Sequence, residues 1–250
     1  MRIAKFQIAV VFEIQPELIL LLGPTIKALA QKNQGQIHEV SSGDPNFPPD
    51  VPRIVVQTRQ FLVNISLNRF DIHVVPPRQL QENHSAAIQF AKTMVTDVLK
   101  ELLQCQISYK WSGIVVQVKF PSVKPLLSAA AAVEPAFKRL VTFNPGDKTL
   151  SSFEMRFGYQ EDDLFRSVKI GGYSTRNLRM RTSTSPSQPI PQGLSMGEIT
   201  ETGIQVFVDV NNKPSAERKG PHEDLHKLFE VSEKSIVSLP NELNLSDILL

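Results

Sequence analysis

The stretch from Arg53 to Pro77 constrains the fold most strongly, because its apolar residues alternate with polar ones. Every second residue from Phe61 to Leu67 is apolar, and the pattern resumes from Phe70 to Val74. Asn68-Arg69 between the two runs is typical of a tight turn. Pro76-Pro77 ends the stretch, because proline has no N–H to donate to a strand ladder. The pattern predicts a β-meander with one buried face.

Composition excludes several classes of protein. The chain has 250 residues and 41% hydrophobic content, which is ordinary for a globular protein, and its net charge of +2 is too small to indicate a nucleic-acid partner by itself. The single cysteine, Cys105, excludes an internal disulfide and a cysteine-based zinc site. Charged residues interrupt every long apolar run, which argues against secretion and membrane spanning. We therefore expect a cytoplasmic protein that has no membrane partner.

The remaining elements follow from periodicity and from proline. The apolar pattern predicts a strand from Ile3 to Ile14. A helix is predicted to start at Pro16, to kink at Gly23-Pro24 and to continue to Lys32. Ser85 to Cys105 predicts an amphipathic helix, for which Asn83 or Ser85 can be the cap. The second part of the chain predicts a strand at Ile107–Phe120, a helix at Val123–Val141, a hairpin at Phe153–Ile170, a Ser/Thr/Pro-rich loop at Ser183–Met196, a strand at Ile204–Val210 and a helix from Pro221.

The two parts of the chain repeat one order of elements. Each runs strand, helix, about three strands, helix, and the junctions VVFEIQP and VVQVKFP end at Pro16 and Pro121. We therefore predict an α+β fold with an internal duplication. Two similar β-α-β-β-β-α halves, residues 1–105 and 106–250, would form antiparallel sheets with the helices packed on one side. The alternative is that an α+β chain shows such an order by chance.

Three segments carry a resemblance to a known family. The meander, the VDVNN strand and the DLHKLFE helix resemble a sporadically distributed bacterial family of uncharacterised proteins of similar length. The resemblance implies a bacterial or phage cytoplasmic protein, and the family's sporadic occurrence suggests a role in mobile-element or phage conflict, that is, antiviral defence. It supplies no catalytic residues.

The segment His222 to His226, HEDLH, matches the H-E-x-x-H pattern of zinc hydrolases. Two histidines at i and i+4 share a helical face and can bind zinc, with Glu223 as general base. However, Pro221 places His222 in the first turn of the helix, and no third ligand follows at a recognisable spacing. We therefore favour a solvated helix start, and we predict no metal ligand, no cofactor and no catalytic residue.

Charge is distributed unevenly along the chain. Residues 102–197 contain 12 basic and 6 acidic residues, whereas residues 198–250 contain 5 and 10. Arginines beside an aromatic residue and a polar loop can contact phosphates or stack on bases. The alternative, which we favour, is a solvated strand face whose charges meet the acidic C-terminal part.

These patterns together predict a non-enzymatic binding protein that acts through a macromolecular partner or by self-association. The Ser183–Met196 loop lacks any titratable residue, and Phe207 lies on the face opposite four branched aliphatic residues of its strand. The alternatives are an RNA-binding or RNA-processing protein with paired ferredoxin-like halves, and the zinc hydrolase. The candidate binding residues are Arg166, Lys169, Tyr173, Arg176, Arg179, Arg181 and Phe207.

Overall fold

The computed structural model describes residues 1–40, 47–122, 129–140, 153–180 and 194–243. These residues form nine strands and five helices, which confirms a mixed α+β fold. The strands are β1 (Arg2–Phe12), β2 (Gln36–Glu39), β3 (Ile54–Gln57), β4 (Phe61–Ile65), β5 (Arg69–Val74), β6 (Tyr109–Pro121), β7 (Glu154–Glu161), β8 (Leu164–Met180) and β9 (Leu194–Asn211). The helices are α1 (Leu18–Lys32), α2 (Arg78–Gln81), α3 (His84–Leu102), α4 (Ala129–Leu140) and α5 (Pro221–Glu242).

All nine strands belong to one antiparallel sheet, in the order β2-β3-β4-β5-β1-β6-β9-β8-β7. The predicted meander is confirmed as β3, β4 and β5, which are neighbours in the sheet. The internal duplication stays a prediction, as does the division into residues 1–105 and 106–250.

The chain divides into two compact units. The first comprises Met1–Val118, Arg156–Lys169 and Phe207–Leu239, and the second comprises Lys119–Met155, Ile170–Val206 and Pro240–Leu250.

Strand alternation builds the core of the first unit. Ile72 of β5 lies opposite Ile8 of β1 on one side and Val63 of β4 on the other, and all three are 0% exposed. The same face packs against helices, since the ring of Phe6 lies 6.3 Å from that of Phe229 in α5 and α3 contacts β1 and β5. Buried side chains therefore recur at every second position of these strands, as the apolar residues do in the sequence.

The helices follow the predicted stripes. Asn83 caps α3, because its Oδ1 accepts a hydrogen bond from the Ala86 N–H at 3.1 Å. The apolar stripe of the amphipathic helix α3 is buried at Ile88, Ala91, Val95, Val98 and Leu102, and α5 buries Leu225, Phe229, Ser232 and Ile236. Helix α1 begins at Leu18, two residues after the predicted Pro16, and contains Pro24.

The structure also contains elements that the sequence did not indicate. All four residues of strand β2 are exposed and Ile37 is its one apolar residue, so the strand has no alternation to detect, and helix α2 is only one turn long. The predicted loop 183–196 is wrong at its end, because residues 194–196 belong to β9; residues 183–193 lie outside the described residues. For the predicted helix 123–141, residues 129–140 are described and helical.

Two glycines allow close packing in the second unit. A Cβ at Gly203 would collide with the Phe120 carbonyl oxygen, and one at Gly172 with the Ala129 carbonyl oxygen. No described helix is long and apolar enough to cross a membrane.

Candidate binding face of the sheet

The second face of the sheet in the first unit is more polar than the core face. There Asp71 of β5 lies between Ala9 of β1 and Asn64 of β4, and His73 lies between Gln7 and Leu62. Most of these side chains are partly exposed, whereas the alternate residues of the same strands are buried. Strand alternation therefore leaves a partly accessible surface on the side away from α3 and α5.

The end of this face on β4 and β5 is internally paired. The Arg69 guanidinium contacts Asp71 Oδ1 from Nη2 at 2.6 Å and from Nε at 2.8 Å, so these charges satisfy each other. Burial, reinforced by the positive charge of Lys5, lowers the pKa of His73, which keeps the imidazole neutral at pH 7. This end offers little net charge to a ligand.

The other end contains a depression of about 210 Å³ on strands β6 to β9, which we call the Phe207 depression. Its described lining residues are Val115, Arg156, Ser167, Lys169, Phe207 and Asp209. They come from four strands, and in β9 the lining positions 207 and 209 alternate with buried Val206, Val208 and Val210. The backbone of a rigid sheet thus fixes their spacing.

An aromatic ring, two cations and one carboxylate share the Phe207 depression. The Lys169 ammonium lies 5.9 Å from the centre of the half-exposed Phe207 ring, within cation–π range. Arg156 Nη2 lies 4.0 Å from Asp209 Oδ2, a long contact at the limit of an ion pair, and the Arg156 side chain is 63% exposed. This guanidinium is therefore able to reorient towards a bound partner.

Asp209 is held under electrostatic strain. Burial raises the pKa of its carboxyl group, and only the Asn211 amide, donating at 3.3 Å, and the Arg156 charge act in the opposite direction. Because the folded protein binds the proton of Asp209 more tightly than the unfolded chain does, the ionised carboxylate lowers stability at neutral pH. A cation brought by a partner would relieve this cost.

The seven predicted binding residues fall into different environments. Lys169 and Phe207 line the Phe207 depression. Arg166, also in the first unit, lines a second cleft, which is described below, and its guanidinium lies 5.4 Å from the Tyr159 ring. In the second unit, Arg176 is exposed but Tyr173 is only 6% exposed, with the Lys119 ammonium 4.4 Å from its ring. The Arg179 backbone belongs to β8, and Arg181 lies outside the described residues. Their role in binding stays a prediction.

Four residues of the depression were not among the sequence candidates: Val115, Arg156, Ser167 and Asp209. Val115, Arg156 and Asp209 each lie between two apolar residues of their strand, so the signal for them was present in IVVQ, EMRF and FVDV. The alternation predicts on which face of the sheet a side chain lies, but it does not predict which strand is the neighbour, because β6 and β9 are far apart in sequence.

The second cleft, of about 360 Å³, lies in the first unit where the β7–β8 turn meets α5. Lys227 Nζ donates to Asp163 Oδ1 at 2.9 Å, and this hydrogen bond lowers the pKa of Asp163. The hydroxyls of Ser235 and Ser238 donate to carbonyl oxygens of their own helix. These polar groups of the second cleft therefore mainly stabilise the fold.

The HEDLH segment forms the first turns of α5, as predicted. His222 is exposed, and His226 Nδ1 lies 3.1 Å from Glu230 Oε1 one turn further on. Asp224 instead accepts hydrogen bonds from the Tyr109 hydroxyl at 2.8 Å and the Asn212 amide at 2.7 Å, which anchors the helix start to β6 and the end of β9. Among the described residues, no group of three or more His, Cys, Asp or Glu side chains could hold a metal ion.

No protein-family model matches the chain, and no curated protein matches its sequence.

Proposed function

We propose that this protein is a non-enzymatic binding protein that engages a protein partner through the Phe207 depression. The observation that carries the proposal is a half-exposed aromatic ring set among Arg156, Lys169 and Asp209 on adjacent strands. A few residues supply most of the binding energy at protein interfaces, and interfaces are enriched in aromatic residues and arginine. A shallow hollow suits an inserted side chain of a partner better than an enclosed substrate.

The strained carboxylate supports the same proposal. The ionised Asp209 carboxylate lowers stability at neutral pH, and functional sites commonly trade stability for function. A partner with a Lys or Arg side chain next to an apolar anchor would pair with Asp209 and cover Phe207 together. Asp209→Asn is therefore expected to stabilise the free protein and to weaken the complex.

Catalysis has less support at this site. General acid–base and nucleophilic mechanisms need convergent titratable or nucleophilic groups. The described lining of the Phe207 depression offers one carboxylate, two cations and the buried Ser167, and no hydrogen bond joins the Ser167 hydroxyl to the Asp209 carboxylate. We therefore favour binding over an enzymatic role.

The test is a pair of matched variants on one sheet face, Phe207→Asp and Leu62→Asp. Both residues are half-exposed and apolar, but Leu62 lies on β4 at the other end of the face. We expect Phe207→Asp to abolish capture of the partner and Leu62→Asp to retain it, while both variants unfold near the wild-type temperature. A photoreactive residue at position 169 should cross-link to the same captured protein. Equal capture by both variants, or unfolding of Phe207→Asp, would contradict the proposal.

A nucleic-acid partner is the second candidate, because an aromatic ring on a sheet face between two cations can stack on a base. Binding to single-stranded RNA would then weaken by about 0.7 log units per phosphate contact per log unit of salt. Replacing Arg156 and Lys169 by Ala should reduce that slope. Absence of RNA binding at low salt would eliminate this candidate and leave the protein partner.

The strand order supports the duplication, which we also propose. In the order β3-β4-β5-β1, the first strand of the N-terminal half lies beside its last, and β7-β8-β9-β6 repeats this arrangement. Co-expressed fragments 1–105 and 106–250 are expected to reassemble into a folded complex, and failure to do so would count against two autonomous halves. The cytoplasmic location and the role in bacterial or phage conflict depend on the sequence and its resemblance, and they stay proposals.

A further inference from the structure

Strand β7 is the last strand of the sheet and has one neighbouring strand, β8, among the described residues. Its six residues in the first unit, 156–161, are all exposed. Phe157 is 39% exposed and Tyr159 is 40% exposed, and the Tyr159 ring meets the Arg166 guanidinium at 5.4 Å. An aromatic edge is thus presented to solvent.

Exposed edge strands of a sheet are normally protected against pairing with another chain. Short length, charged residues (lysine above all), proline and bulges are the usual devices that prevent an edge strand from pairing with another chain. Strand β2 at the opposite end of the strand order has only four residues, whereas β7 has eight, contains neither lysine nor proline, and carries its charges at Glu154, Arg156 and Glu161. The uncharged segment 157–160 of the β7 edge therefore lacks these devices.

The sequence of β7 is complementary to itself. In an antiparallel pair of identical strands related by a twofold axis through Gly158, Phe157 of each copy lies opposite Tyr159 of the other. Arg156 then lies opposite Gln160, so no like charges meet within 156–160. Gly158 on the axis presents no side chain to its own copy.

We propose that two copies of this chain form a dimer by antiparallel pairing of their β7 strands about Gly158. Two Phe157–Tyr159 pairs would cover the exposed rings, and aromatic cross-strand pairs are among the stabilising pairs of antiparallel sheets. Because the twofold axis of such an antiparallel pair is perpendicular to the plane of the sheet, the Phe207 depressions of the two copies would open on the same side. The proposal does not depend on the function of that depression.

The oligomeric state tests this pairing. Sedimentation of the wild-type protein over about 1–100 µM, where micromolar self-association is detected, should show conversion to twice the chain mass of 28.0 kDa. Tyr159→Lys should weaken the dimer at least about tenfold, because both aromatic pairs are lost and lysine protects the edge. The matched control is Leu20→Lys, which changes an 82% exposed apolar residue on α1 and should leave the dimer intact.

The register is tested by cross-linking in a Cys105→Ser background. The double variant Arg156→Cys/Gln160→Cys keeps both aromatic pairs and should form an intermolecular disulfide under mild oxidation, since directly opposed residues bring their Cβ atoms close enough. Each single variant should remain uncross-linked, because position 156 faces 160 and not itself. A wild-type monomer throughout the range, a dimer unaffected by Tyr159→Lys, or equal cross-linking of the single variants would overturn the proposal, whatever the result for Phe207→Asp.

Discussion

Replacing Asp224 by Ala is expected to cost about 3 kcal/mol of unfolding free energy, although the residue belongs to a segment that resembles a zinc motif. Its Oδ2 atom accepts two short hydrogen bonds, from the Tyr109 hydroxyl at 2.8 Å and the Asn212 amide at 2.7 Å. The Asn212 Oδ1 in turn accepts the buried Ser112 N–H at 2.8 Å. The carboxylate therefore organises a polar cluster that joins α5 to β6 and the end of β9.

The magnitude follows from these bonds. A hydrogen bond to a charged group contributes about 1.5–3 kcal/mol, so loss of both would cost about 3–6 kcal/mol. Tyr109 also lies within hydrogen-bonding distance of Ser112 at 2.9 Å and Asn212 at 3.2 Å, so both partners keep some pairing after the change. The lower end of the range is therefore expected.

The control is Glu223→Ala. Glu223 is an exposed acid in the same first turn of α5, so it shares the favourable interaction with the helix dipole, about 0.3–1 kcal/mol, but not the polar cluster. The unfolding free energies should be measured by denaturant titration at pH 7, with a check that the slope is unchanged. A loss for Asp224→Ala within about 1 kcal/mol of that for Glu223→Ala would refute the anchoring role.

Three further outcomes are expected. Burial raises the pKa of Tyr109, so the contribution of Tyr109 to stability should be constant below about pH 10 and then fall by about 1.4 kcal/mol per pH unit, because only the unfolded chain releases the proton; Tyr109→Phe should remove this component from titrations of unfolding against pH. Gly203→Ala should destabilise by at least about 2 kcal/mol in thermal unfolding, because its Cβ would collide with the Phe120 backbone, whereas Gly23→Ala in open space on α1 should stabilise by about 0.5–1 kcal/mol. Metal analysis should find well under one equivalent of zinc in the purified protein, and stoichiometric zinc that disappears in His226→Ala would contradict the solvated helix start.

The alternation and the helical periodicity of apolar residues predicted the strands and helices, because buried side chains repeat with the period of the strand or helix that carries them. Phe61, Val63 and Ile65 are buried as expected, and the stripe of α3 is buried along its whole length. Strand β2 escaped prediction because all four of its residues are exposed, so pairing with β3 decides its conformation in place of burial. Short polar edge strands carry no periodic signal.

The candidate site was predicted only in part. Lys169 and Phe207 stood out because of local charge and an aromatic residue on a polar strand face, and both line the Phe207 depression. Arg156 and Asp209 gave no such signal, because their significance comes from each other, across 53 positions of sequence. Tyr173 looked available in the sequence but is buried, since side-chain exposure depends on what packs beside the strand.

The sequence by itself determined which residues turn inward, since a period of two or 3.6 is a local property of the backbone. It also determined the mixed α+β class and the start of α5. Only the tertiary structure decided which strands are neighbours, and therefore that Asp209 lies half-buried near Arg156 and that β7 is the last strand of the sheet. The physical reason is that strand pairing joins residues distant in the chain, and the environment of a charge is set by those neighbours and not by its own segment.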